Sequence, residues 1–198
     1  YAGLTREAAM ETQIFYANFC KNLIEVSSPE VAEAAKLFEN SFRQVNIALV
    51  NELALISNTL GISVREVLEA ANSKPYGFMK FNPGLGVGGH CIPIDPLYLS
   101  WWARQNGGAA EFVEAADSIN HAMPIYVAQR ALGMINPSVA NPRILIIGVA
   151  YKPGVKDVRE TPVSELRKQL EKRGAEVAWH DEFVPIWEGT KPEELSWE

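Results

Sequence analysis

Ser28-Pro29-Glu30-Val31-Ala32-Glu33-Ala34-Ala35-Lys36-Leu37-Phe38-Glu39-Asn40 opens a run that meets no further proline, and no glycine, until Gly61. Serine before proline is a strong helix start. The hydroxyl can accept from a free N–H of the first turn, and proline's fixed φ suits the first helical position, where its missing N–H is not needed. Glu30 complements the positive end of the helix dipole. The run therefore predicts one helix of about thirty residues, on the order of 45 Å at ~1.5 Å per residue. That is long for a globular domain. Such a helix needs partners on several sides, and Leu37, Phe38, Val45, Leu49, Leu53 and Ile56 supply apolar surface for them. The expectation is a helix along which two subunits pair; burial within one subunit is the alternative.

The flanks read as helices first and a β–α–β unit last. Thr5 to Phe19 has helical spacing, with Ala8, Ile14, Phe15 and Phe19 expected inside. Leu23 to Val26 is a strand or an extended link. Ser63 caps a further helix, with Glu66 in the capping-box position, ending near Ser73-Lys74-Pro75. Helices resume over Leu97–Gln105 and Glu111–Met134, and Asn136–Pro142 is a linker. Arg143-Ile144-Leu145-Ile146-Ile147-Gly148 is a short buried strand, Thr161–Arg173 an amphipathic helix stopped by Gly174, and Ala175–Trp179 a second strand. The fold class expected is a mainly α central domain with a long dimerisation helix, followed by the start of an α/β Rossmann-like domain. Two parallel strands alone leave their faces poorly covered, so this last unit reads as truncated. The chain opens on Tyr1 and stops at Ser196-Trp197-Glu198 with no closing element, as expected of a segment of a longer protein.

With 47% hydrophobic residues among 198, the chain can form a core without disulfides. Cys20 and Cys91 are far apart and form no CxxC pair, so neither a disulfide scaffold nor a metal site is expected, and a reducing cytoplasm fits. The net charge of −6 with scattered bases argues against nucleic acid and anionic membranes as partners. No apolar run reaches the ~18 residues of a membrane span.

Pro75 to Pro96 has no periodicity, and a loop of that length in a compact domain is usually functional. It contains Asn82-Pro83-Gly84-Leu85-Gly86-Val87-Gly88-Gly89-His90-Cys91-Ile92-Pro93-Ile94-Asp95-Pro96. Glycines at 84, 86, 88 and 89 would let backbone N–H groups approach a ligand. Cys91 precedes a helix start at Pro93 and Asp95, and exposed N–H groups at a helix N-terminus favour thiolate. Cys91 is thus a candidate nucleophile, the alternative being a small buried side chain. The loop is not a Walker A motif, since no Gly-Lys-Ser/Thr follows. It is not a dinucleotide fingerprint either, since no strand leads into it. His90 is expected to point away from Cys91, as neighbours in an extended loop do, and reads as a substrate contact.

The loop Gly84–Asp95, the Lys36–Asn40 segment and Gly148-Val149-Ala150-Tyr151-Lys152-Pro153-Gly154-Val155-Lys156-Asp157-Val158-Arg159-Glu160 together resemble the UDP-glucose/GDP-mannose dehydrogenase family, in its order and spacing. The loop version here is most similar to UDP-N-acetylglucosamine 6-dehydrogenases. Ile94 stands where UDP-glucose members usually carry lysine.

The resemblance implies domains over 1–21 (the end of, or linker from, a preceding NAD-binding domain), 22–135 (central, helical, catalytic and dimerising) and 136–198 (a truncated UDP-sugar-binding α/β domain). It implies NAD as cofactor, a homodimer, and a nucleotide-sugar substrate, UDP-N-acetylglucosamine or its mannosamine epimer. The sugar C6 alcohol would be oxidised to a carboxylate in two hydride transfers, with Cys91 carrying thiohemiacetal and thioester. Lys36 and Asn40, one helical turn apart, would face the oxyanion and a water. Asp95 would hold the hydrolytic water, or simply cap a helix. Tyr76, Gly77, Phe78, Asn82, Gly84, Gly86, Gly88, Gly89 and Lys152 would line the substrate site. Arg159 would reach the NAD nicotinamide end, and Lys74 is a weaker candidate for a neighbouring subunit's ligand. Trp101-Trp102 reads as packing. The segment alone is expected to be inactive, and a non-catalytic dimerisation and nucleotide-sugar-binding module is the alternative reading.

Overall fold

The computed structural model describes residues 1–195; the expected chain end at 196–198 lies outside them. Helices α1 (Arg6–Tyr16), α2 (Pro29–Leu60), α3 (Val64–Asn72), α4 (Asp95–Gln105) and α5 (Glu111–Gly133) precede strand β1 (Arg143–Ile147), helix α6 (Val163–Glu171) and strand β2 (Glu176–His180).

The long helix forms as its sequence predicts. Ser28 Oγ accepts from the Val31 N–H, Pro29 occupies the first turn, and Gly61 closes the helix in the left-handed region at φ 68°. There the Ile62 N–H returns to the Ser57 carbonyl, a turn that a Cβ would strain. The buried stripe of α2 is mostly polar or small, with Asn40, Ser41, Gln44, Ala48, Asn51 and Ser57 beside Val50. Phe38 (69% exposed), Leu49 (58%) and Ile56 (49%) point outward, while Leu37, Val45 and Leu53 are half-buried. The cause is the partner: α2 lies against α5 and α4, and small and amide side chains let the backbones come close.

The α2–α5 contact is built on amides. Asn51 Nδ2 donates to Asn120 Oδ1 at 3.0 Å, Asn120 Nδ2 donates to the Gln44 carbonyl at 3.2 Å, and Asn51 Oδ1 accepts from the Gly84 N–H at 2.8 Å. Both asparagines are buried, so each bond replaces one lost to water. Further along α5, Val127, Ala131 and Leu132 pack on a second core, in which Ala128 is fully buried with Ile146, Val149, Leu166, Leu170, Trp179 and Trp187. Helix α5 thus belongs to both halves of the chain.

β1 and β2 pair in parallel, Arg143 opposite Glu176 through Ile147 opposite His180, with α6 as the crossover. The expectation of a buried β1 is corrected. Only Ile146 is buried, whereas Leu145 and Ile147 are exposed, because α5 and α6 cover one face of the pair. After β2, Asp181 ties the sheet end together. Its Oδ2 accepts from Val149 and Ala150, and its Oδ1 from Phe183 and Val184. Burial raises the carboxyl's pKa, but the four backbone donors outweigh it, and the group stays below its ordinary value.

Three further expectations are corrected. Ile14, Phe15 and Phe19 are exposed: α1 packs on no other helix or strand among the described residues, and Phe15, Tyr16 and Phe19 stack edge-on with one another at 5.2–5.4 Å instead. Leu23–Val26 forms no strand; it is an extended link on which the Tyr1 amine meets the Ile24 carbonyl and the Val26 N–H the Tyr1 carbonyl. Trp101 and Trp102 are exposed at 61% and 44%, since α4 buries Pro96 and Ser100 instead.

Two outcomes test this architecture. Asn51→Ala orphans the Gly84 N–H and the Asn120 amide, and should cost about 2–4 kcal/mol in urea unfolding; a loss under ~0.5 kcal/mol would count against the network. Asp181→Asn should also destabilise the chain. Because the folded carboxyl is depressed, its stabilisation is present above the unfolded pKa of ~3.9 and is lost as pH falls through the lower folded value. The gap in Tm between parent and variant should therefore close as the buffer is taken from pH 7 to below ~4.

Candidate active site

Cys91 sits on a turn that leads directly into α4. Its carbonyl accepts from the Ile94 N–H at 3.1 Å and the Asp95 N–H at 2.7 Å, so the thiol stands at a helix N-terminus. Asp95 is in the first turn of α4, yet it caps nothing: α4 has no side-chain cap. Its carboxylate reaches across to α2. Oδ2 accepts from Asn40 Nδ2 at 2.7 Å and forms an ion pair with Lys36 Nζ.

Lys36 and Asn40 are one turn apart on α2, so one carboxylate oxygen on α4 collects both. Their environments differ. Asn40 is buried at 7% exposure, whereas the Lys36 side chain is 62% exposed, so the expectation of a partly buried Lys36 is corrected. The hydrogen bond to Asp95 raises the Lys36 pKa, opposed by slight desolvation and helped by the charges of Asp95 and Cys91. Lys36 is therefore a firmly charged ammonium within electrostatic reach of the thiol.

The glycines of the loop have a different use from the one expected. A Cβ on Gly86 would lie 2.7 Å from the Asn120 carbonyl, and Gly86 has φ 118°. That carbonyl lacks its helical partner, because the residue four positions on is Pro124, which has no N–H. On Gly88 a Cβ would meet Tyr151 Cβ at 2.8 Å and the Glu160 carbonyl at 3.0 Å, and on Gly89 the Tyr151 ring at 3.0–3.2 Å. The Gly89 N–H donates to the Arg159 carbonyl at 3.1 Å. These three glycines therefore face protein rather than open space, and they seat the Cys91 loop on α5 and on the segment after β1. Nothing lies within 4 Å of a Cβ built on Gly84 or Gly77.

That segment brings the Arg159 backbone against the Cys91 loop, at Gly89. Arg159 grips Asp157 through Nε and Nη2 at 2.5–3.1 Å. The hydrogen bond to Asp157 leads the causes that raise the Arg159 pKa, and the charges of Tyr151 and Cys91 contribute to it. Asp157 is held at about 2, first by its side-chain hydrogen bonds from Arg159, then by the Arg159 N–H, with a small contribution from His90. Next along the chain, Glu160 holds φ 47°, a left-handed conformation uncommon for a non-glycine, with its carbonyl against Gly88.

The structure thus joins Lys36, Asn40 and Asp95 at the start of the helix that Cys91 leads into, and Arg159 lies on the segment that seats the same loop. Lys152 lies in a neighbouring cleft of about 560 Å³ at the carboxyl ends of the strands, lined also by Gly148, Tyr151, Gly154, His180 and Asp181. This is where open α/β units bind ligands. Its ammonium is 5.4 Å from the Tyr151 ring centroid. Tyr76 (72% exposed), Gly77, Phe78 and Asn82 form no hydrogen bond to the Cys91 cluster, and Lys74 rests over the Tyr76 ring at 5.6 Å.

His90 is a correction. Its Nδ1 lies 4.0 Å from Cys91 Sγ, because the backbone bends at Gly89 (φ 81°) instead of running extended. Sequence reading missed Tyr151, Asp157, Asn51 and Asn120. Asp157 and Tyr151 fall inside the quoted 148–160 segment, but their partners are 60 or more residues away, or depend on a turn. Another cleft, of about 590 Å³ between α5 and α6, is lined by His121, Glu165, Arg167 and Lys168 among others and by none of the expected site residues. Among the described residues no group of three or more His, Cys, Asp or Glu is placed to hold a metal ion, and no helix is long and apolar enough to cross a membrane.

Residues 30–122 match the UDP-glucose/GDP-mannose dehydrogenase family, central domain, and residues 145–196 the UDP binding domain of the same family. A UDP-N-acetyl-D-mannosamine dehydrogenase of Methanococcus maripaludis is 36% identical over 187 residues, covering 94% of this chain and 43% of that protein. A UDP-N-acetyl-D-glucosamine 6-dehydrogenase of Pseudomonas aeruginosa is 40% identical over 163 residues, or 81% of this chain and 38% of its own length. The solved structure of the UDP-D-ManNAc dehydrogenase of Pyrococcus horikoshii superposes with a TM-score of 0.83 at 35% identity, over 92% of this chain and 44% of that one. The chain spans less than half the length of these relatives. With its central and UDP-binding regions both matched, in order and over most of its length, the chain belongs to the UDP-glucose/GDP-mannose dehydrogenase family.

Proposed function

We propose that this chain is the thiol-bearing and sugar-nucleotide-holding part of an NAD-dependent UDP-N-acetylhexosamine 6-dehydrogenase of the cytoplasm. The observation that carries the reading is the Lys36–Asp95–Asn40 cluster beside Cys91. It sets a nucleophile, a fixed cation and a carboxylate with two donors around one point. Relatives that act on UDP-N-acetyl-mannosamine and UDP-N-acetyl-glucosamine support the substrate class.

NAD, when bound, takes hydride from C6 twice. The chain's contribution to that site would be the Arg159 guanidinium, whose backbone carbonyl holds the Cys91 loop at Gly89. Gly84-Leu85-Gly86-Val87-Gly88-Gly89 has the spacing of a dinucleotide turn, but it follows no strand and opens no helix, and three of its glycines are filled by protein. The phosphates of the cofactor therefore need a site elsewhere in the whole protein, and the chain by itself is expected to bind sugar nucleotide without oxidising it.

The residues divide the work as follows. Oxidation of the C6 alcohol leaves an aldehyde, and the Cys91 sulfur adds to its carbon. The carbonyl electron pair moves to oxygen, where the Lys36 ammonium and the Asn40 amide stabilise it. Loss of the second hydride from that carbon re-forms C=O and leaves a thioester on Cys91. Water, held by Asp95, attacks; the C–S bond breaks, the carboxylate leaves and the thiol is regained. One alcohol and one water give one carboxylate, with two hydrides removed. Lys152 and the strand-end cleft would hold the diphosphate end, while Tyr76, Gly77, Phe78, Asn82 and Gly84 offer contacts along the loop.

The outer side of α2 supports a homodimer. Phe38, Phe42, Leu49, Ile56 and Leu60 are all exposed and recur at intervals of 4 and 7, the spacing of a helix–helix seam.

In the full-length protein, UDP-N-acetylglucosamine, its mannosamine epimer, UDP-glucose and GDP-mannose should be compared for NADH release. One N-acetylated UDP-sugar should lead, with two NADH per sugar; one NADH per sugar, or none with any of the four, would overturn the reaction. Cys91→Ser should abolish acid formation while leaving sugar-nucleotide affinity within about threefold, since only the covalent step is lost. Leu49→Glu with Ile56→Glu should halve the sedimenting mass, because two charges enter the apolar seam; an unchanged mass would place the dimer contact elsewhere.

A further inference from the structure

The attack of Cys91 needs a base, and most groups around the thiol cannot serve as one. Lys36 is held in its charged form by Asp95. Arg159 remains a guanidinium throughout. The Asp95 oxygen that faces α2 already accepts from Lys36 and Asn40. Among the described residues, the side chain in hydrogen-bonding contact with Sγ is His90, whose Nδ1 stands 4.0 Å away.

We propose that His90 is the proton acceptor for the Cys91 thiol, a catalytic residue of the reaction above. The assignment rests on that reaction, but it is read from different contacts. The bend at Gly89, locked by the Arg159 carbonyl and the Tyr151 ring, turns two neighbouring side chains toward each other. Asp157 comes from the same locked segment, where its carboxylate is held by the Arg159 guanidinium. An imidazole nitrogen that carries no proton is a hydrogen-bond acceptor, the role this step asks of Nδ1.

The step balances. Neutral His90, protonated at Nε2, takes the thiol proton on Nδ1 and becomes imidazolium. The thiolate electron pair forms the C–S bond to the aldehyde carbon, and the carbonyl pair moves to oxygen beside Lys36. After the second oxidation, which uses the dinucleotide oxidant of the proposed reaction, water cleaves the thioester. The attacking water gives up two protons to solvent, one on addition and one as the acid formed ionises, and the departing thiolate recovers its proton from the His90 imidazolium. The charged groups that bear on the pair are Lys36 from α2, Asp95 from α4, and Asp157, Arg159 and Tyr151 from the segment after β1.

The test uses the full-length protein and reads the thiol directly. Cys91 alkylation by iodoacetamide at pH 7 would be timed without substrate in wild type, His90→Ala and His90→Asn, with Cys91→Ser as the blank that isolates this thiol from Cys20. Removal of the base should slow alkylation about tenfold in both variants, and added imidazole should restore much of the rate in His90→Ala, where the cavity admits it. His90→Asn keeps a polar group of similar reach, so an unchanged melting curve there separates lost chemistry from lost folding. Turnover in His90→Ala should fall by roughly 100-fold. Equal alkylation rates in wild type and both variants, or a loss that imidazole leaves untouched, overturn the assignment. NADH release by the wild type judges the parent reaction separately: normal release with unaltered alkylation in the variants sinks the role of His90 alone.

Discussion

The buried amide pair Asn51–Asn120 is the constraint from which the site follows. It joins α2 to α5, and through Gly84 it joins both to the loop that ends at Cys91. Amides in a packed interior specify geometry as well as stability, because each donor and acceptor must find its partner or lose the free energy of a hydrogen bond to water. An apolar pair would hold the helices together equally well but would let them slide. With register set, Lys36 and Asn40 arrive opposite Asp95, and Gly86 arrives over the carbonyl that Pro124 leaves free. A proline inside a helix normally counts as damage. Here the vacant Asn120 carbonyl receives a glycine, and the loop gains a seat.

The second anchor comes from the other half of the chain. The segment after β1 clasps Gly88 and Gly89 with Tyr151, the Arg159 carbonyl and Glu160, the last in a backbone conformation that costs energy outside glycine. Strain of this kind persists where the surroundings over-determine it, and here they do. Asp181 pins the start of the segment through Val149 and Ala150, and the Asp157–Arg159 fork closes its far end. The thiol is therefore held by both regions that match the family, and α5, which contributes to both cores, keeps them in fixed relation.

What stays exposed is as ordered as what is buried. The outer stripe of α2, the aromatic knot of α1 and the tryptophans of α4 are apolar side chains for which this chain offers no cover. Their exposure explains why the inward positions read from hydrophobic spacing on α1 failed. Periodicity finds the apolar face of a helix but does not say whether the same chain meets it. On α2 the face toward the chain's own interior is mostly amide and hydroxyl, beside Ala48 and Val50, and hydropathy patterning does not mark such a face as core.

By itself the sequence determined what is local. Caps at Ser28 and Ser63, stops at Gly61 and Gly174, and the β–α–β order all act within a few residues, and α2 to α6 with both strands begin and end within two residues of the expected positions. It also determined the chemistry on offer: a cysteine at a helix start, lysine and asparagine one turn apart, and an aspartate four residues beyond the thiol. Only the tertiary structure decided how these combine. Asp95 reads equally as a cap or as a partner, and it became a partner because packing brings α2 to it across 55 and 59 residues of chain. The glycines read as room for a ligand, and three of them became room for Tyr151, Pro162 and a helix carbonyl. His90 reads as pointing away and was turned toward the thiol by a backbone bend locked from a distant segment. Each of these depends on contacts between residues far apart in sequence, whose geometry arises only when helices, loop and sheet are packed together.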